Sequence, residues 1–270
     1  GGSVLPFPSS TAPIRRTESQ LNLDRLDPGS RALLDVRVRK ALGHAVDKAA
    51  LNDAIFEGEG VMADSPVPFT LEYFAEVERS LVRYAYDLRR TEQLMAEAGY
   101  SRRGDAPYAS PTEGRFTPEI KVIAGPQNEA GMAIMADGWR RAGFDMRQGV
   151  LPAAQARDQQ VRVAFGSMFS TDGGLLEGLG TAGIPTPESR WNGNNRSSWS
   201  NTMFDSLVDS WSTTLDRAQR DQRMVEMARI YSEELPSTPI WYVLNLTVHT
   251  SALRGPGREA DDVHLWELLR

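Results

Sequence analysis

The sequence predicts an α/β protein in which helices flank a mixed β-sheet. Two patterns carry this prediction. Residues 115–151 read strand, helix, strand, which is the order of a β–α–β unit. Before and after that unit, helices are marked by an acidic residue at the N-cap and by a glycine or proline at the end. With 270 residues, of which 40% are apolar, the chain is long enough to bury a substantial core.

The N-terminal part of the chain leads from a loose segment into helices. Residues 1–17 are rich in proline and serine and are expected to be flexible. Residues 18–26 alternate apolar and polar positions, which predicts a strand. Asp35 and Asp47 can each accept a hydrogen bond from a following backbone amide, so we expect a helix after each of them. A third helix is expected to begin at Asp87 and to end at a glycine.

The central part of the chain supplies the β–α–β unit. Its strands are predicted at residues 115–125 and 144–151, with a helix over 127–143 between them. If the two strands are parallel, the crossover should be right-handed. A short helix near 153–160 and an apolar strand over 161–169 are expected to follow.

Residues 171–201 are rich in Gly, Asn, Ser and Pro and show no regular period. A compact domain rarely keeps so long an irregular segment without a use, so we expect this one to carry function. Two helices, near 202–212 and 216–235, come next, and the second opens with a capping box. The chain then reads as two strands, over 238–245 and 246–253.

Composition excludes several classes of function. The 36 acidic residues outnumber the 30 basic ones, which argues against nucleic acid as a partner because nucleic-acid-binding proteins present a basic face. The chain contains no cysteine, so disulfides, thiolate nucleophiles and cysteine-ligated zinc are excluded. The sequence has no run of about 18 apolar residues that would span a membrane.

Neither a catalytic motif nor a cofactor motif is evident. The three histidines, His44, His249 and His264, lie far apart in the sequence, and neither HExxH nor GxSxG occurs. Residues 178–183 match GxGxxG formally, but prolines follow at once and no helical pattern begins, so we do not expect a dinucleotide site. We therefore expect no metal site, no cofactor and no enzymatic activity.

Tryptophan occurs in two settings. Trp139, Trp211 and Trp241 fall in apolar helix or strand patterns and are expected in the core. Trp191 and Trp199 instead stand among Asn, Gly and Ser residues. This composition suits a concave ligand site, but it equally suits a loop that is pinned by its own aromatic rings. The sequence leaves these two interpretations open.

Three segments carry a resemblance to a known family. They are DVRVRKALGHAVDKAALNDAIFEGEG (35–60), YDLRRTEQLMAEAGY (86–100) and the stretch that runs from WSNTMFDSLV to STPIWY (199–242). In this order they resemble the family 5 extracellular solute-binding proteins of ABC importers, a family that includes dipeptide, oligopeptide and nickel binders. The similarity runs from about residue 18 to the C-terminus.

The resemblance implies a fold and a domain organisation. Members of the family are much longer, and the matching segments belong to their C-terminal half. The chain therefore resembles lobe II of a type II periplasmic-binding-protein-like fold. By this resemblance, residues 1–17 form a flexible segment, 18–34 a hinge-proximal strand and turn, 35–237 the α/β lobe, and 238–270 a hinge strand with a remnant of lobe I. The N-terminal lobe I would be a partner in cis.

The resemblance also implies a function. Such proteins capture a solute, here most readily a peptide, between two lobes that close by a hinge motion, and they deliver it to a permease in the membrane. They work outside the cytoplasm, either in the periplasm or anchored at the cell surface. An oligosaccharide binder is the alternative within the family, and a nickel binder is disfavoured because soft ligands are absent. An α/β hydrolase and a stand-alone interaction module are the alternatives from other classes.

The resemblance further implies a set of cleft residues. In peptide-binding relatives an aspartate after an apolar strand of lobe II pairs with the amino terminus of the peptide. Asp172 is the acid available in the corresponding stretch, 166–174, which lacks the Trp and Pro of the relatives. Together with the composition of 171–201, this predicts a cleft wall made of Pro152, Gln155, Met168, Phe169, Asp172, Trp191, Asn194 and Asn195. The alternative for each residue is a loop-stabilising role.

Overall fold

A computed structural model of the chain describes residues 15–21, 28–243, 253–254 and 267–268. The α-helices are α1 (Val36–His44), α2 (Lys48–Phe56), α3 (Phe74–Ser80), α4 (Leu88–Glu97), α5 (Pro126–Arg141), α6 (Gln159–Val163), α7 (Thr202–Thr213) and α8 (Arg217–Glu234). The strands are β1 (Arg15–Leu21), β2 (Ala109–Ser110), β3 (Gly114–Arg115), β4 (Glu119–Ile123), β5 (Arg147–Leu151), β6 (Met168–Asp172), β7 (Ser237–Val243), β8 (Leu253–Arg254) and β9 (Glu267–Leu268). Within these ranges, no helix has the length and apolar character needed to cross a membrane.

The centre of the fold is a five-stranded mixed sheet with the order β5–β4–β6–β1–β7. Strands β5, β4 and β6 run parallel to one another. Strand β1 lies between β6 and β7 and is antiparallel to both. Two short antiparallel pairs, β2 with β3 and β8 with β9, stand apart from this sheet. The predicted α/β class with a mixed sheet is confirmed.

The predicted β–α–β unit is present as β4, α5 and β5. The two strands pair in parallel from Glu119 opposite Arg147 to Ile123 opposite Leu151. Helix α5 has a proline at its first position, where the missing amide donor costs nothing. Its Trp139 is 1% exposed and donates its indole N–H to the carbonyl of Leu42 at 3.0 Å. The helix is thereby fixed against α1.

Four helices begin at the aspartates that the sequence predicts as N-caps. The carboxylate of Asp35 accepts from the Arg37 amide at 2.8 Å, and that of Asp47 accepts from the Ala50 amide at 3.0 Å. Asp87 and Asp216 cap α4 and α8 in the same way. Each such cap is worth about 1 kcal/mol to the helix that it begins.

The prediction of an apolar strand over 161–169 is wrong in its first half. Residues 159–163 form α6, and the strand begins only at Met168. The physical reason is Asp158, whose carboxylate accepts from the amides of Gln160 and Val161 at 2.9 and 3.4 Å and so starts a helix. The alternating valines before Phe165 look like a strand in sequence but lie on a short capped helix.

Other differences concern short elements. Strand β1 covers Arg15–Leu21 and so begins three residues before the strand predicted over 18–26, and a 3-10 helix covers Pro28–Leu34 where a turn was expected. Helix α3 and the β2–β3 pair were not predicted from the sequence. Residues 22–27, His249, His264, Trp266 and most of the strand predicted over 246–253 lie outside the described residues.

Apolar side chains cover both faces of the sheet. On one face, Ile120, Val122 and Met168 belong to the main core together with α1, α4 and α5. Because successive strand residues point to opposite faces, Phe169 lies on the other side, in a small cluster with Leu151 and Phe165. A second large core forms where α3, α7, α8 and part of the irregular segment meet, around Phe204, Met227 and Tyr231.

A buried arginine joins the ends of three elements. Arg39 on α1 is 4% exposed. Its guanidinium donates to the carbonyls of Leu33 and Leu34 at 3.0 Å each, and to the carbonyl of Glu234 at 2.9 Å. It also forms an ion pair with the Glu234 carboxylate at 3.3 Å. The last carbonyls of a helix lack hydrogen-bond donors within the helix. Arg39 supplies donors to such carbonyls at the C-terminal ends of the 3-10 helix and of α8.

Replacing Arg39 by methionine should lower the free energy of unfolding by about 3 kcal/mol, because three carbonyls lose their charged donor. Chemical denaturation of the chain measures this change. The matched control is Arg79→Met: Arg79 is mostly exposed and paired only with Glu76 on its own helix, so its loss should change stability by less than about 1 kcal/mol. Equal stabilities for the two variants would contradict the role of Arg39.

Candidate functional site

The carboxyl ends of the parallel strands meet at one edge of the sheet, which we call the carboxyl edge. Strands β4, β5 and β6 end there at Ile123, Leu151 and Asp172. Because β1 is antiparallel to β6 and β7 is antiparallel to β1, the start of β1 and the end of β7 lie at the same edge. Ligands of open α/β sheets bind outside the carboxyl ends of the strands. The carboxyl edge is therefore the candidate site.

Three of the predicted cleft residues lie exposed at this edge. Asp172 is the last residue of β6 and is opposite Thr17 of β1. Pro152 and Gln155 are exposed in the loop that follows β5. The structure thus brings an acidic group and the loop after β5 to the same edge.

The segment from Gly173 to Trp199, which we call the 173–199 segment, leaves the sheet directly after Asp172. It is irregular apart from 3-10 turns at Leu176–Leu179 and Thr181–Gly183. Its second 3-10 turn is tied to α7 through Asp205, which accepts from the amide and the hydroxyl of Thr181 at 2.7 and 2.6 Å. The segment is therefore a fixed structure beside the carboxyl edge.

Asn195 is the central hydrogen-bonding residue of this segment. It is 1% exposed. Its side-chain amide donates to the carbonyls of Leu179, Gly180 and Trp199 at 2.8, 3.1 and 2.7 Å. Its side-chain oxygen accepts from the Ser197 hydroxyl at 3.0 Å and the Trp199 amide at 3.2 Å. Asn195 was predicted on the cleft wall, and the structure places its side chain inside the segment that it holds together.

Asn194 is exposed and packs against glycine backbone near Asp172. A Cβ at Gly174 would lie 2.8 Å from the Asn194 side chain, and a Cβ at Gly178 would lie 2.6 Å from it. Both distances are shorter than real Cβ contacts. These glycines therefore let Asn194 lie directly against the chain that follows Asp172. Gly183, the last glycine of the GxGxxG match, also permits a close backbone contact, because a Cβ at this position would lie 2.2 Å from the Gly178 carbonyl oxygen.

Trp191 is half-buried and sits in an unusual backbone conformation. Its φ is 61°, and that of the preceding Arg190 is 54°. Such left-handed non-glycine residues cost of order 1 kcal/mol each and persist only where their surroundings determine them. Here the Trp191 amide donates to the Thr186 carbonyl at 2.8 Å. In the same turn, backbone and Thr186 hydrogen bonds hold the pKa of the Glu188 carboxyl below its usual value.

Two predicted cleft residues and one tryptophan belong to the core instead. Met168 is 1% exposed and Phe169 is 0% exposed, on opposite faces of the sheet. Trp199 is 4% exposed and packs edge-on against Phe204, with ring centroids 4.9 Å apart. The prediction that Met168 and Phe169 line the cleft is corrected, because side chains this deeply buried offer a solute no surface. Of the two tryptophans in the polar segment, Trp199 therefore stabilises the loop by packing into the core.

Leu175 and Arg196 also lie in the segment that follows Asp172 but were not predicted from the sequence. Leu175 follows Gly174 and is 58% exposed, which is unusual for a leucine and puts apolar surface close to Asp172. Arg196 lies between Asn195 and Ser197, with part of its guanidinium buried. No sequence signal separates these two residues from other leucines and arginines. Among the residues with described side chains, no group of three or more His, Asp or Glu is placed to hold a metal ion.

The fold and the site define a class of protein. A mixed α/β sheet carries exposed polar groups at its carboxyl edge. The start of β1 and the end of β7 lie at that same edge. This is the architecture of one lobe of a periplasmic-binding-protein-like molecule. Residues 10–219 match the family model for the middle part of bacterial extracellular solute-binding proteins, family 5. The chain belongs to this family.

Several known proteins are similar to the chain. Heme-binding protein A from Haemophilus influenzae is 26% identical over 229 residues, which cover 82% of this chain and 39% of that protein. Di/tripeptide-binding protein 1 from Pseudomonas aeruginosa is 24% identical over 216 residues, covering 76% and 36%. The chain thus spans about two-fifths of the length of these relatives.

A solved structure shares the fold. The oligopeptide-binding protein AppA from Bacillus subtilis, in complex with a nonapeptide, superimposes with a TM-score of 0.78 at 17% identity. The match covers 99% of this chain and 52% of that one. The predicted resemblance to family 5 and the predicted fold class are confirmed.

Replacing Asn195 by alanine should loosen the 173–199 segment and lower the free energy of unfolding by about 2 kcal/mol, because three buried carbonyls lose their donor. Hydrogen exchange of the backbone amides in residues 179–199 measures the loosening directly. Asn192→Ala is the control, since the exposed Asn192 side chain donates only to the Ser189 carbonyl. Unchanged exchange in Asn195→Ala would show that the segment is held by other contacts.

Proposed function

We propose that this chain forms lobe II of the solute-binding component of an ABC importer, which captures a peptide at the carboxyl edge and presents it to a membrane permease. One observation carries the proposal. The edge where the parallel strands end is also the edge where β1 begins and β7 ends. A ligand bound there lies against the strands that lead to the other lobe, so closure of the two lobes would enclose it.

The domain boundaries are proposed on the same ground. Strand β1 and strand β7 are the two crossings between lobes, and they are neighbours in the sheet. A hinge of two adjacent strands allows one lobe to rotate against the other without breaking either core. Residues 35–237 are then the proposed body of lobe II.

Asp172 is the proposed contact for the amino terminus of a peptide. It is the last residue of β6 and is exposed at the carboxyl edge. A carboxylate in a partly enclosed cleft forms a charge-assisted hydrogen bond with an ammonium group, which is stronger than a bond between neutral partners. Pro152, Gln155, Trp191 and Asn194 are the further wall residues that this proposal retains.

The alternatives are less well supported. An oligosaccharide binder would use stacked aromatic rings, but Trp199 is buried and only Trp191 of the proposed pair has partial exposure. The relatives named above are binding proteins, which favours binding over catalysis. Their family favours work outside the cytoplasm.

The first experiment is a thermal-shift screen of the two-lobed parent protein against peptide, oligosaccharide and metal-chelate pools. A ligand at 100 times its dissociation constant adds about 2.7 kcal/mol of stability, which moves a melting curve clearly. Stabilisation by the peptide pool supports the proposal. Stabilisation only by oligosaccharides, or no stabilisation by any pool, contradicts peptide capture.

In the same parent protein, Asp172→Asn should weaken binding of a free-amine peptide about tenfold, because an ionic hydrogen bond worth about 1.5 kcal/mol or more is lost. An N-acetylated form of the same peptide should bind both proteins equally. Isothermal titration calorimetry provides the measurement. Glu188→Gln is the control, since it removes an exposed acid of the 173–199 segment. If Asp172→Asn binds the free-amine peptide as tightly as the parent, Asp172 does not recognise the amine.

A further inference from the structure

Asn192 and Gly193 form the only asparagine–glycine pair in the sequence, and they lie in the 173–199 segment. Asn192 is exposed, and Gly193 is half-buried. Within the described part of the chain, the Asn192 side chain makes one hydrogen bond, in which its Nδ2 donates to the Ser189 carbonyl at 3.1 Å. Only this bond has to break before the side chain can turn toward the next residue.

The fold requires glycine at position 193. A Cβ at this residue would lie 2.2 Å from the Gly183 carbonyl oxygen and 3.0 Å from the Pro185 nitrogen. The first of these distances is far shorter than real Cβ contacts. Packing therefore keeps a residue without a side chain directly after Asn192. Such a residue leaves its backbone nitrogen open to the approach of a neighbouring group.

The backbone nitrogen of Gly193 has no hydrogen bond to lose. Among the residues that the structure describes, none accepts from its N–H. The nearby Asn192 N–H, in contrast, donates to the Ser189 carbonyl at 3.1 Å. The Asn195 N–H donates to the Gly183 carbonyl, also at 3.1 Å. A nitrogen that makes no hydrogen bond can leave the plane of its turn without breaking one.

The Ser189 hydroxyl polarises the peptide group that contains this nitrogen. Its Oγ donates to the Asn192 carbonyl oxygen at 2.8 Å and, over a longer distance of 3.1 Å, to the Thr186 carbonyl. The Asn192 carbonyl and the Gly193 nitrogen share one delocalised peptide unit. Charge left on the nitrogen after loss of its proton therefore spreads to the carbonyl oxygen. A donor placed where charge develops stabilises the charged form.

We propose that Asn192 is a site of spontaneous deamidation, promoted by the Ser189 hydroxyl. The Gly193 nitrogen loses its proton and attacks Cγ of Asn192. A bond forms between these two atoms, the bond from Cγ to Nδ2 breaks, and Nδ2 leaves with a proton as ammonia. Water then opens the succinimide ring at either of its two carbonyls, which leaves aspartate or isoaspartate at position 192. Water is the only co-reactant, and the reaction does not depend on peptide capture.

Either product changes the 173–199 segment. The Nδ2 donor to the Ser189 carbonyl is lost, and a carboxylate stands next to Trp191, one of the wall residues of the proposed cleft. In isoaspartate the main chain runs through the former side chain and is longer by one carbon atom. The close contact of Gly193 with the Gly183 carbonyl cannot then be kept unchanged.

The test is peptide mapping by mass spectrometry of the folded 270-residue chain after incubation at mildly alkaline pH. Trypsin cleaves after Arg190 and Arg196 and so releases residues 191–196, in which Asn194 and Asn195 are internal controls. We expect the mass change from amide to carboxyl, located at residue 192 by fragmentation, in two products that chromatography separates. Conversion should be slower at mildly acidic pH, because the deprotonated nitrogen is the nucleophile. A sample digested without incubation shows what the digestion itself produces.

Three variants separate the contributions. Asn192→Gln keeps an amide but cannot close the five-membered ring, so we expect no conversion at residue 192. Ser189→Ala should slow the conversion about fivefold, the factor that one hydrogen bond contributes. Ser189→Thr keeps the hydroxyl and should retain the rate of the unmodified chain. In a synthetic peptide of residues 187–196, which lacks the rest of the segment, replacing the serine by alanine should leave the rate unchanged.

The synthetic peptide also serves as the clock for the folded chain. If the folded chain keeps Asn192 intact while the peptide is converted, or if Asn194 or Asn195 is converted instead, Asn192 is not a deamidation site. A rate in Ser189→Ala that equals or exceeds that of the unmodified chain would overturn the role of Ser189.

Discussion

The insertion of β1 between β6 and β7 is the constraint on which the arrangement of this protein depends. Without β1, the parallel strands β5, β4 and β6 would end in an open edge, and β7 would have no partner within the five-stranded sheet. Strand β1, at residues 15–21, thus completes a sheet whose other strands lie between residues 119 and 243 of the sequence. This long-range pairing fixes where the chain enters and where it leaves, and it sets both points at the carboxyl edge.

The 173–199 segment shows how an irregular chain can be as well determined as a helix. Its stability comes from side-chain amides and hydroxyls that satisfy backbone groups, with Asn195 replacing the ladder of bonds that a strand would supply. Glycines at 174, 178 and 183 permit backbone contacts that any other residue would block. A surface held in this way is already ordered before a ligand arrives, so less conformational entropy is lost on binding.

The starts of several helices could be predicted from the sequence, because they depend on contacts between residues that are close together in the chain. Asp35, Asp47, Asp87 and Asp216 start helices because each carboxylate reaches an amide only a few residues away. The order of the sheet could not be predicted in this way, since the position of β1 depends on partners more than 140 residues distant. The short α6 was misread because its valines favour strands while Asp158 favours a helix.

The candidate site was predicted only in part, for a related reason. Asp172, Pro152 and Gln155 were expected at the site because of the resemblance to family 5, and the structure places them at the carboxyl edge. An apolar residue beside a polar loop, in contrast, can face either a ligand or the core. Met168, Phe169 and Trp199 face the core, and this depends on the helices and loops that cover each face of the sheet.

Since Arg15 lies opposite Val243 on adjacent antiparallel strands, the two connections of this unit to the rest of a polypeptide are only about 5 Å apart. A unit of this kind can be inserted into a surface turn of another domain, or removed from it, with little change in loop-closure entropy.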